Sequence, residues 1–221
     1  MKLSFKPKEI DNHVLKLIVG LIALSLANLT AWLSPDSIGS ISAAYYEGGR
    51  ARDFFIGFLF AISSFLFAYN GDSAAEMILS KIAAVAGLGV ALFPCRWDEP
   101  PNMVNYVHYT SAAIMFTVLA CLCVIFYQRA RAKGHREAMW RSYIYAVCAV
   151  TILLVIAILG IDNFTGGHLG SKLPRLTFYG ERAALVAFGI SWLVASRALP
   201  FITTPTERVS LLPVKRSDKG N

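Results

Sequence analysis

Apolar residues in this chain run in six long blocks almost free of charge and do not alternate with polar ones. The blocks cover 14–33, 54–69, 77–93, 107–127, 143–161 and 178–196. Each is about 16–21 residues long, close to the roughly 20 helical residues that cross a hydrocarbon core. Backbone N–H and C=O groups find no water in lipid, so each block is predicted to be a helix that satisfies them internally. The pattern predicts an all-α, polytopic membrane protein. Six transmembrane helices form one bundle over residues 1–200, and 201–221 form a polar cytoplasmic tail.

Composition narrows this further. With 56% hydrophobic residues in 221, the predicted spans take up most of the chain and leave no room for a separate soluble domain. No long repeat and no low-complexity segment interrupts it. The net charge of +7 raises nucleic acid as a partner, but the distribution of cations argues otherwise. With six spans both termini share a face. That face collects 15 of the 21 Lys and Arg, from Lys2, Lys6 and Lys8 through Arg129 to Arg141 and on to Lys215, Arg216 and Lys219. The opposite face keeps Arg50, Arg52, Arg96, Lys172, Arg175 and Arg182. The acids divide evenly, so the cations carry the bias. This positive-inside asymmetry places both termini in the cytoplasm and the protein in the inner (plasma) membrane. The basic runs then read as topology and as attraction to anionic lipids, not as a nucleic-acid site.

A cleaved signal peptide is the alternative for the first block, but the block exceeds the usual h-region and cleavage would spoil the charge division. An uncleaved first helix is expected. Cys121, Cys123 and Cys148 fall within blocks, and Cys95 sits at an outer end. No CxxC pair occurs, so neither a disulfide framework nor a cysteine metal site is expected.

Helices in lipid associate by close packing, helped by small residues. Ala83, Gly87 and Ala91 recur at four-residue spacing in the third block. Asp53, Gly57, Ala61, Ser64 and Ala68 do so in the second, and Glu181, Ala184, Ala187, Ser191 and Ala195 approximately in the sixth. These stripes predict the inward faces, with Asp53 and Glu181 on them. Trp32, Trp97, Tyr106, Tyr109, Tyr127, Trp140, Tyr143 and Tyr179 lie near block ends, as an aromatic belt does. The tail after Pro200 is expected to be free.

Topology gathers ionisable residues at one end. The outer ends carry Asp53, His108, Asp162 and Glu181 from four different helices. The first outer connection adds Ser40, Ser42, Tyr45, Tyr46, Glu47 and Arg50, and the last adds His168, Lys172 and Arg175. Ionisable groups at membrane depth are costly unless they face the bundle interior, water or a partner. The candidate ligand-binding set is Ser42, Tyr45, Tyr46, Arg52, Asp53, His108, Asp162, Glu181 and Arg182. His108, Glu181 and Asp53 are the catalytic candidates, since burial can tune an acid–base pair. The competing reading is structural. Asp53 and Glu181 would suit a first helical turn, and a pair such as Arg52–Glu181 or Arg182–Asp53 would lock the bundle. His108 and His168 with a carboxylate could hold zinc, but no HExxH or HxxxH occurs, and no metal is assigned. Ser40 and Ser42 lack a GxSxG elbow. No cofactor is named.

Several segments have a familiar look. SISAAYY at 40–46, RDFFIG at 52–57, GVALFP at 89–94, His108, and Glu181 followed by GISW at 189–192 resemble a group of uncharacterised bacterial six-helix membrane proteins. More distantly, the layout is similar to the ceramidase and progestin-receptor-like superfamily of membrane hydrolases. The latter resemblance implies Ser, Asp and three His around zinc, but this chain lacks the paired His on a late helix.

Two functions from different classes follow. The first is a non-enzymatic membrane protein that binds a lipid headgroup or small polar molecule at its outer face, or joins a membrane-protein partner. The second is a lipid-modifying hydrolase with a His/carboxylate site at the outer leaflet. A transporter ranks third, because the polar groups sit at span ends and not at the midplane.

Overall fold

The computed structural model describes residues 11–34, 38–95 and 102–208. The basic residues Lys2, Lys6, Lys8, Arg96, Lys215, Arg216 and Lys219, and Trp97 of the aromatic belt, lie outside the described residues. Among the described residues, five helices are long and apolar enough to cross a membrane: α1 (Asn12–Leu33), α3 (Gly49–Ala68), α4 (Ala74–Leu92), α5 (Met103–Ala132) and α6 (Arg136–Phe164). Such helices mark an integral membrane protein. Two short helices, α2 (Ala44–Glu47) and α7 (His168–Lys172), lie in the connections. The sixth block forms α8 (Leu176–Ala195), as long as α3. It does not join the five, because Glu181 and Arg182 in its second turn interrupt its apolar stretch.

Helix ends follow local chemistry. Ser73 caps α4, Asn102 caps α5 and His135 caps α6, each side chain accepting from a backbone N–H of the first turn. At 30 and 29 residues, α5 and α6 are each about 45 Å long by helical rise. That exceeds a hydrocarbon core of about 30 Å. Their joint at 133–135 is short, and Gly134 takes a left-handed φ of 73° there.

Successive long helices pack side by side, from α1 on α3 through α4, α5 and α6 to α8, and α8 returns to α1 and also touches α5. Leu21, Phe67, Val85, Val147 and Leu154 are all at least half exposed. In water such a shell would aggregate, whereas in lipid it is the solvent-compatible face. The pattern on α8 is different. Phe178, Leu185, Phe188 and Trp192 are buried, because α1, α5 and α6 enclose this helix. An enclosed helix needs no lipid-compatible surface, which is how α8 tolerates its charged turn.

The inward faces match two of the three small-residue stripes. Ala83, Gly87 and Ala91 are buried on α4, and Ala184, Ala187, Ser191 and Ala195 on α8. The α3 stripe is a correction. The buried residues of α3 are Ala51, Phe55, Leu59, Ile62, Ser63 and Leu66. Asp53, Gly57 and Ser64 are exposed, and Ala61 and Ala68 are only half-buried. Lipid tails and apolar side chains are chemically alike, so small-residue spacing by itself does not select a face.

The close contact of α1 with α8 involves glycines that the spacing did not single out. A Cβ on Gly20 of α1 would lie 2.8 Å from the Leu193 nitrogen and 2.9 Å from the Gly189 oxygen on α8. Backbone meets backbone there. On α4, a Cβ on Gly87 would lie 2.5 Å from the Ser63 hydroxyl of α3. Gly87→Leu is therefore expected to cost about 1–3 kcal/mol by overpacking, more than Leu88→Ala at its half-buried neighbour. Thermal unfolding of both variants in detergent checks this, and equal, near-zero shifts would place Gly87 against lipid.

Candidate functional site

The connection between α1 and α3 folds inward over the helix ends. Ile38, Ser40, Ile41, Ser42 and Ala44 are all buried. Irregular backbone at this depth survives only if its polar groups find partners in the protein. The first turns of α8 supply them. Glu181 accepts from the Ile41 nitrogen at 2.5 Å, the Ser42 nitrogen at 3.2 Å and the Ser42 hydroxyl at 3.3 Å. Arg175 Nε donates to the Ile38 carbonyl, and the Phe178 nitrogen to the Gly39 carbonyl. Inside the connection, Ser40 Oγ accepts from the Ala43 nitrogen and lies 3.1 Å from Ser42 Oγ. A single carboxylate thus satisfies two buried amides and one hydroxyl.

Beneath this connection lies a cavity of about 30 Å³. Its wall is mostly apolar, including Leu26, Phe55, Leu59 and Phe116, with Ser42, His108 and Glu181 as its polar members. A water needs roughly 10–15 Å³ of such space, so the cavity holds one or two waters or one small polar group. His108 is buried on α5, and its Nδ1 lies 2.8 Å from the Phe93 carbonyl at the end of α4. That carbonyl can only accept, so Nδ1 carries the proton. The serine hydroxyl is bonded to the carboxylate, not to the imidazole, and the hydrogen bonds here form no serine–histidine pair.

The other candidates lie elsewhere. Asp53 is not on an inward face, and its side chain is 70% exposed with Arg52 at 3.8 Å. The two are neighbours in sequence, and at an exposed helix end their flexible side chains curl together. Such a pair adds little. Asp162 is used locally, accepting from the Leu169 and Gly170 nitrogens of α7. Arg182 donates to the Asn28 side chain at 2.7 Å and ties α8 to α1. Neither the Arg52–Glu181 nor the Arg182–Asp53 pair forms. Tyr46 donates to the Pro94 carbonyl, and Tyr45 packs edge-on against its ring. Among the described residues, no group of three or more His, Cys, Asp and Glu side chains could hold a metal ion.

At the opposite end the structure builds a charged network that sequence reading had left to loops. Glu76 is fully buried in the first turn of α4. It accepts from the Tyr69 hydroxyl at 2.6 Å and pairs with Arg129 of α5, which also pairs with Asp72. Gly71 must be glycine, since its φ is +64° and an added Cβ would strike the Glu76 side chain. Lys16 of α1, 2% exposed, sits 5.2 Å from both the Tyr69 and Phe126 ring centres. The residues after α8 dock here instead of hanging free. Arg141, 3% exposed, donates to the Ile202 carbonyl and to Glu207, which also pairs with Lys133. The ring of His13 meets the Ala195 carbonyl, so the start of α1 and the end of α8 share this end. The apolar blocks at 107–127 and 143–161 gave no sign of this. Only the structure extends α5 and α6 past them to Ala132 and back to Arg136, which carries the charges at their ends into packed surroundings.

Burial opposes the charge of Glu207, but hydrogen bonds from Lys133 and Arg141 more than offset it and hold the carboxyl down at about 2 from an ordinary 4.5. A depressed carboxylate stabilises the fold above its ordinary range, and that contribution fades as pH falls toward about 2. Glu207→Gln is expected to cost about 3 kcal/mol at neutral pH, because it strands the buried Arg141 charge. Unfolding midpoints of the two proteins should converge on acidification. A gap that persists at pH 2 would mean that the pairing contributes nothing.

No known protein family, curated protein or solved structure matches the chain.

Proposed function

We propose that the chain is a six-span protein of the inner (plasma) membrane, with both termini cytoplasmic, that binds a lipid-like molecule at its outer face. The observation that carries this is the cavity shared by Ser42, His108 and Glu181. Three separated segments bring polar side chains to one side of an otherwise apolar space. An amphiphile matches that division, with its polar end at the three side chains and its apolar part against Leu26, Leu59 and Phe116. The cavity admits only a small group while the connection over it is closed. Entry therefore requires 38–47 to lift, and Glu181 holds that segment down. The enclosure of α8 supports its reading as the sixth span, and the meeting of His13 with the end of α8 supports an even number of crossings.

A lipid analogue with a photoreactive group near its head tests this. Crosslinks are expected on 38–47 and around His108, and His108→Ala should reduce them several-fold. Labelling spread over the lipid-facing helices and unchanged in His108→Ala would overturn the site. A cysteine added at the C-terminus tests the topology. It should resist a membrane-impermeant maleimide in intact cells.

A further inference from the structure

The end of the protein opposite that cavity holds a second one, also of about 30 Å³, with a different lining. Five cations border it, Lys16, Arg129, Lys133, Arg141 and Arg197, around the rings of Phe126 and Tyr145. The carboxylates that pair with these cations are Asp72 and Glu76 on Arg129, and Glu207 on Lys133 and Arg141. Those carboxylates pair with three of the five cations. The other two are Lys16 and Arg197, whose side chains make no hydrogen bond or ion pair among the described residues. Asp72 and Asp11 attract Lys16 only from beyond ion-pair distance, Asp72 being paired with Arg129 and Asp11 accepting from the His13 nitrogen at the start of α1.

Burying an ammonium without a paired anion is costly. Lys16 is nonetheless 2% exposed and borders the cavity. Its two aromatic neighbours solvate it in part, but they supply no negative charge. Arg197 reaches the same space from a left-handed backbone position with a φ of 57°, uncommon for a residue with a side chain. The volume suits a few heavy atoms and excludes a nucleotide.

We infer that this pocket binds a phosphate-class anion, with Lys16 and Arg197 as its direct contacts and Arg129, Lys133 and Arg141 completing the positive wall. The anion is either free phosphate or the phosphate of an anionic lipid headgroup, which basic pockets between membrane helices accommodate at the cytoplasmic side. Glu207 already fills the anion role for Lys133 and Arg141, which shows that this wall takes an oxyanion.

The full chain in neutral detergent, stripped of lipid, is titrated with inorganic phosphate at constant ionic strength, and separately with phosphatidylglycerol and phosphatidylcholine. The thermal midpoint is read. It should rise with phosphate or phosphatidylglycerol and not with phosphatidylcholine. A rise with phosphate identifies a free anion, and a rise confined to phosphatidylglycerol identifies the headgroup. Lys16→Met keeps the apolar stem against Tyr69 and Phe126, and Arg197→Gln changes a half-buried side chain, so the fold should survive both. Either is expected to weaken the apparent affinity at least ten-fold, whereas Lys172→Met, on the exposed α7, should leave it unchanged. No rise with either anion, unchanged affinity in both pocket variants, or an equal loss in Lys172→Met would overturn the site.

Discussion

Glu181→Ala is expected to free the outer connection from the helix ends. Alanine removes the acceptor for the Ile41 and Ser42 nitrogens and the Ser42 hydroxyl. Each orphaned buried group costs about 1–3 kcal/mol, so the two amides bring the loss to about 3 kcal/mol or more. Glu181→Gln should cost less than half of that. Its carbonyl can still accept from Ile41, and its amide can donate to the Ser42 hydroxyl. Ser40 is fully buried beside this carboxylate, which makes a Ser40→Cys reporter informative. The reporter should resist a soluble maleimide in the parent and react in Glu181→Ala. Equal protection in both would mean that the connection is held by other contacts. The structural role and the proposed ligand role of Glu181 then separate: Glu181→Gln should stay folded while its binding of the photoreactive lipid changes.

Gly20→Ala should be the most damaging single-methyl change in the transmembrane helices. The added carbon would meet two backbone atoms of α8 at 2.8 and 2.9 Å, and backbone cannot rotate away as the tip of a side chain can. The partner position repeats the constraint, since a Cβ on Gly189 would lie 2.8 Å from Leu24 Cγ and 3.0 Å from the Gly20 oxygen. The helices must separate, which costs about 3 kcal/mol, the upper part of the overpacking range. Gly57→Ala is the control. Nothing lies within 4 Å of its added carbon, and helix propensity favours alanine by about 1 kcal/mol. Thermal unfolding of the two variants in detergent should show opposite signs. Equal shifts would mean that α1 and α8 do not approach this closely.

Glu181 connects these two expectations. It lies on α8, where Glu181 and its neighbour Arg182 place two charges in an otherwise apolar helix. The same carboxylate secures the buried connection between α1 and α3. A helix enclosed by α1, α5 and α6 can carry this charge, and the close α1–α8 contact at Gly20 and Gly189 holds that enclosure together.

The helices were legible in the sequence alone, and Ser42, His108 and Glu181 were among the nine candidate residues it gathered at one end of them. Lipid imposes its constraint locally, since every backbone group in a crossing segment must be satisfied within it, and helices then deliver their end residues to known sides. Which groups meet was decided only by tertiary structure. Asp53 and Glu181 read alike as acids at the ends of apolar blocks, yet Asp53 faces solvent and Glu181 serves a buried loop. Lys16 and Arg129 read as topology charges, and Glu76 was not singled out. In sequence, a charge bound for water and one bound for a buried pair look the same at a helix end. The glycines behaved similarly: spacing marked Gly57 and Gly87 equally, but only Gly87 meets a neighbour, and Gly20 was not marked. Lipid and protein interiors are both apolar, so composition does not tell a helix's lipid face from its packed face. The register between α1 and α8 made that choice.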